Sequence, residues 1–112
     1  MKIALSALLV CFISLSAKAQ LTPFELSKDK NYTATYAQVI DYYQKLNKLY
    51  PQQMKMLNYG TTDIGKPLTL IVLSRDKVFD PALIKKQNKR VLLINNGIHP
   101  GEPEGIDASM ML

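Results

Sequence analysis

At 112 residues the chain has the length of one small domain, because domains cluster around roughly 100 to 150 residues. A single cysteine, Cys11, excludes a disulfide framework within the chain. The net charge of +5 comes without an aromatic or Gly-rich nucleic-acid motif, so no nucleic-acid partner is expected.

Met1-Lys2-Ile3, the apolar run 4–15 and then Ser16-Ala17-Lys18-Ala19-Gln20 have the charge, hydrophobic stretch and small-residue site of a secretory signal peptide. Residues 1–19 are expected to be cleaved after Ala19, which makes the protein exported, to a periplasm or the extracellular space. The apolar stretch is shorter than the roughly 20 residues a membrane-spanning helix needs, so no stable membrane insertion is expected after removal. A lipid-modified cysteine would want a small residue before it, and Val10 precedes Cys11. With the signal removed no thiolate remains, so any metal must use His, Asp or Glu. Loss of Lys2 and Lys18 leaves a net charge of +3.

Residues 20–30 mix Pro23, Phe24 and Leu26 with charge and show no sustained period, which predicts an extended lead-in. Between 35 and 50, Tyr36, Val39, Ile40, Tyr43, Leu46 and Tyr50 recur at three- and four-residue spacings and predict a helix with one apolar face, ended by Pro51. Residues 54–59 read as a strand. The two glycines of Gly60-Thr61-Thr62-Asp63-Ile64-Gly65-Lys66-Pro67 mark a turn. Residues 68–73, almost wholly apolar and β-branched, predict a second strand covered on both faces, so the pair reads as a hairpin.

Asp80-Pro81 has the form of an N-cap with proline at the first helical position, predicting a short helix over 81–86. Lys85, Lys86, Lys89 and Arg90 then read as a solvated basic connection. Val91-Leu92-Leu93-Ile94 stops at Asn95-Asn96-Gly97, as a central strand of an α/β sheet does at its carboxyl end, where functional loops are expected. Strands 54–59, 68–73 and 91–95 are expected in one sheet, the first two antiparallel and the third parallel to one of them, with the 35–50 helix packed on a face. Ile106, Met110 and Met111 are spaced for a further helix.

His99-Pro100-Gly101-Glu102 carries the sharpest chemistry, and His99 is the sole histidine. Imidazole and carboxylate are both good zinc ligands, and three residues of irregular backbone let both reach one ion. The helical His-Glu-x-x-His site is different, its histidines lying four apart on one face. The same spacing also suits a hydrogen-bonded loop histidine.

Gly97-Ile98-His99-Pro100-Gly101-Glu102 resembles the glycine-hydrophobic-His-x-x-Glu zinc motif of the M14 metallocarboxypeptidases, the carboxypeptidase A-like family. Gly60 to Leu68 is similar to that family's Gly-x-Ser/Thr-x-x-Gly-Arg-Pro-Leu/Ile hairpin, and residues 32–50 resemble its first helix with the Tyr-x-x-Tyr entry. The ordered set, covering residues 31–112, is more specific than any one motif. It implies an α/β fold: a partial α/β/α mixed sheet of the zinc-carboxypeptidase type, truncated after the first metal motif. Residues 1–19 are then the signal peptide, 20–30 the lead-in and 31–112 the N-terminal part of the peptidase domain.

The resemblance implies Zn2+ as cofactor, with His99 and Glu102 as the first two protein ligands and Glu102 gripping through both oxygens. The family's third ligand, a histidine, and its substrate-carboxylate arginine, tyrosine and general-base glutamate lie further downstream, so no catalytic residue is assigned within this chain. The implied activity is release of C-terminal residues from peptides or cell-wall peptides. Two ligands alone imply weak zinc affinity and no turnover. Pro103-Glu104-Gly105 departs from the digestive enzymes' His-x-x-Glu-Trp, and Glu104 reads as a first-turn helix residue favoured by the dipole. Two other readings stand beside this one. A zinc amide hydrolase of the aspartoacylase and succinylglutamate desuccinylase branch shares the fold and a similar His-x-x-Glu, but by resemblance is cytoplasmic. A non-catalytic binding module of the same fold would have no need of both His99 and Glu102.

Overall fold

Local capping chemistry places most of the elements in the computed structural model, which describes residues 20–29, 31–99 and 101–112. Helix α1 is a single turn, Pro23–Leu26. The Thr22 hydroxyl accepts from the Glu25 amide at 3.2 Å and the Glu25 carboxylate accepts from the Thr22 amide at 2.8 Å, a reciprocal capping box. The expected extended lead-in is thus corrected: two capping bonds and Pro23 at N1 close a turn that hydrophobic periodicity does not reveal. Helix α2, Tyr36–Leu49, starts with the same device at Thr35 and Gln38, and it is the longest element among the described residues.

Strands β1, Met54–Thr61, and β2, Pro67–Leu73, pair antiparallel in the register Met54↔Leu73, Met56↔Ile71 and Asn58↔Thr69, with an irregularity between Asn58 and Thr61. The turn is closed by the Thr62 amide donating to the Lys66 carbonyl at 2.8 Å and the Lys66 amide donating to the Thr62 hydroxyl at 3.0 Å. Helix α3, Pro81–Lys86, is capped by the Asp80 carboxylate, which accepts from the Leu83 amide. It ends on Lys85 and Lys86, where the helix dipole favours cations. Lys89 pairs with Asp76, and that hydrogen bond, more than the accompanying charge attraction, holds the Asp76 carboxyl below the usual carboxylate range. Helix α4, Pro103–Met111, has Pro103 at N1 and Glu104 in its first turn, the position assigned to Glu104 from sequence.

The result is a small α/β arrangement in which a two-stranded antiparallel sheet and four helices are the elements of the described residues. The third strand is a correction. Residues 91–98 have no strand pairing, and Val91, Leu92 and Leu93 are 78%, 80% and 76% exposed. A β-branched apolar run becomes a strand only where a neighbour supplies ladder hydrogen bonds and a packed face, and no described strand lies alongside this one. The mixed sheet is reduced to one hairpin for the same reason. Nor is β2 covered on both faces, since Leu68 and Leu73 remain exposed.

The core lies where α2 meets α4. Ala34, Tyr42 and Met110 are buried, with Tyr32, Val39, Tyr43, Leu46 and Ile106 packed around them. Tyr42 and Tyr43 meet edge to face at 5.4 Å, and the Tyr42 hydroxyl donates to the Met110 carbonyl at 2.7 Å. Burial, and then the Glu25 charge, raises the Tyr42 phenol above its ordinary value. Tyr36 and Tyr50, read from sequence as part of the apolar face, are exposed; Tyr36 instead reaches the hairpin, donating to the Pro67 carbonyl at 2.8 Å.

Candidate metal centre

The loop between residue 94 and α4 brings one imidazole and one carboxylate together. Gly97 and Gly101 have φ of 66° and 83°, values that residues with a Cβ rarely adopt. These two residues belong to a loop in which His99 lies opposite Glu102. Glu102 occupies the N-cap position of α4, yet its side chain makes no capping hydrogen bond. It turns to His99 instead: Nδ1 and Oε1 lie 2.9 Å apart. In the tautomer with hydrogen on Nδ1, the imidazole donates to the carboxylate.

Both sequence-singled residues therefore meet, and both are accessible, their side chains being 72% and 55% exposed. Two ligands of one tetrahedral zinc, each at about 2.1 Å, stand about 3.4 Å apart. The present separation needs only about half an ångström of opening, which exposed side chains supply by rotation, and the tautomer with hydrogen on Nε2, which frees the Nδ1 lone pair. A neutral imidazole and an ionised carboxylate also match zinc's donor preferences, so the residues present fit the ion. Among the described residues no group of three or more His, Cys, Asp or Glu side chains converges.

Neighbouring carboxylates are less suited. Glu104 stands in the first turn of α4, and Asp107 points one oxygen into the protein without a hydrogen-bond partner among the described atoms. Burial first, and the Glu104 charge second, raises the Asp107 carboxyl above its ordinary value. An environment that favours the neutral acid is the opposite of what a metal donor needs. Sequence reasoning passed over Asn96 and Ser109, which are hydrogen-bonded to each other across the loop. The signal available was a polar residue before Gly97 and a Gly105/Ser109 pair four apart on one helix face.

No helix among the described residues is long and apolar enough to cross a membrane. The family model for zinc carboxypeptidases, peptidase M14, matches residues 39–112, a span that takes in most of α2, the hairpin and the His99–Glu102 loop. No curated protein and no solved structure matches the chain.

Proposed function

The chain belongs to the zinc carboxypeptidase family, peptidase M14, and on that premise we propose that it supplies two zinc ligands, His99 and Glu102, to an exported enzyme that releases C-terminal residues from peptides. The observation that carries the reading is the 2.9 Å approach of His99 Nδ1 to Glu102 Oε1 inside the matched span. When bound, zinc supplies a Lewis acid that polarises a scissile carbonyl. His99 would hold the ion through a ring nitrogen and Glu102 through its carboxylate. Both would hold the ion from an exposed loop, where substrate and a further protein donor could reach it. Because a catalytic zinc takes three protein ligands and an open position, we place the third ligand and the general base outside residues 20–112.

Activity is tested by chelator-sensitive release of C-terminal residues, followed by mass spectrometry, from this chain and from an extended one that carries the further donor. Release from the extended chain alone is expected. Turnover by residues 20–112 without that donor would falsify the assignment of the ligands.

We also propose export, on the signal-like residues 1–19, which lie outside the described residues. The mature protein is expected to begin at Gln20, outside the cytoplasm. N-terminal sequencing of protein recovered from that compartment checks it, and an intact Met1 there would refute cleavage.

A further inference from the structure

Two glycines and two side chains interlock across the base of the His99–Glu102 loop. A Cβ placed on Gly105 would lie 2.6 Å from Asn96 Oδ1 and 2.9 Å from its Cγ, so the asparagine amide rests on bare helix backbone. In the opposite sense, a Cβ on Gly97 would lie 2.7 Å from Ile106 Cδ1. Each segment thus seats a side chain where the other has none. The Asn96 amide nitrogen donates to the Ser109 hydroxyl, and that hydroxyl donates to the Gly105 carbonyl at 2.7 Å.

We propose that Asn96 and Ser109 are positioning residues, a latch that holds both ends of the metal-donor loop at fixed separation. His99 is three residues beyond Asn96 and Glu102 three residues before Gly105, so the two donors are placed symmetrically inside the clamped span. Both donors are largely exposed and gain little placement from packing of their own. Their mutual approach is set through the backbone, and the backbone is set where Asn96 meets Gly105 and Ile106 meets Gly97. A donor pair left free to wander pays an ordering cost each time it takes up an ion, and a clamped pair has that cost removed in advance.

This inference rests on the zinc reading for its consequence, and the two are separated by measuring loop order and metal uptake independently in the full chain. In Asn96→Ala and Ser109→Ala, backbone 15N order parameters of residues 97–99, 101 and 102 are expected to fall toward about 0.6, while α2 and β1 stay at about 0.85. Zinc affinity by calorimetry is expected to fall about tenfold, as when other partners that orient metal ligands are removed. Ser109→Thr keeps the hydroxyl and is expected to retain both properties. Gly105→Ala, which drives a methyl into Asn96, is expected to weaken zinc binding more in the wild-type background than in Asn96→Ala, where the space is vacant. Unchanged loop order in both alanine variants overturns the latch. So does a loss of order spread evenly over α2 and β1, which a merely structural role would produce. If wild type and His99→Ala take up zinc alike, the zinc reading fails, and the order parameters still decide the latch.

Discussion

Replacing His99 by alanine is expected to abolish measurable zinc uptake by the full chain, and Glu102→Gln to do nearly the same. Each change removes one of two donors, and the survivor is a single exposed group with no neighbour among the described residues able to complete a site. The loss should exceed the roughly 10–100-fold cost of removing a supporting partner, because a ligand itself is lost. Glu104→Gln is the control. Glu104 is acidic and close in sequence but sits in the first turn of α4, so its neutralisation should leave zinc affinity within about twofold, the size of a small change in dipole interaction. Titration calorimetry on the four proteins separates a shared site from diffuse attraction to acidic residues. If the His99–Glu102 pair is only a hydrogen-bonded turn, His99→Ala and Glu104→Gln will behave alike.

The parts of this chain that could be read in advance are those whose cause is local. Asp80-Pro81 specifies an N-cap without reference to anything distant, and α3 begins there. The two-glycine turn closes the hairpin with bonds between Thr62 and Lys66, five residues of chain. The approach of His99 to Glu102 spans three residues, so their meeting needs only an irregular backbone between them. Thr22 and Glu25 were equally local, but α1 is too short to leave an apolar period, and a reading led by periodicity passes over it. What failed depends on partners. Val91 to Ile94 has the composition of a central strand, but composition supplies only one side of a ladder. Tyr42 was assigned no place in the core because the apolar face was drawn through Tyr36 and Tyr50. Val39, Tyr43 and Leu46 of that face do pack on the core, but Tyr42 joins them because it reaches α4, far along the chain, through a hydrogen bond to Met110.

That contact makes Tyr42 the side chain whose loss is expected to cost the most stability. It is 7% exposed, stacks edge to face on Tyr43, and joins α2 to α4 at the centre of the core cluster. Truncation of a buried aromatic to alanine costs about 3–5 kcal/mol from lost transfer energy and the cavity left behind. A chain this size has little to spare, since whole domains are stable by only about 5–15 kcal/mol. Tyr42→Ala should therefore lose a large share of the chain's stability, its unfolding midpoint moving to much lower denaturant, with the near-ultraviolet circular dichroism of the tyrosine cluster weakened. Tyr42→Phe isolates the hydroxyl. The Met110 carbonyl lies in the last turn of α4, where carbonyls have no intrahelical donor, and the Tyr42 hydroxyl satisfies it from another helix. Removing that donor should cost about 1 kcal/mol, a typical net value for one hydrogen bond, and should fray α4 from its C-terminal end while α2 keeps its helical signal. Denaturant titrations of the three proteins, read by far- and near-ultraviolet dichroism, give both numbers. A Tyr42→Ala chain as stable as wild type would mean that α2 and α4 are not held together by this cluster.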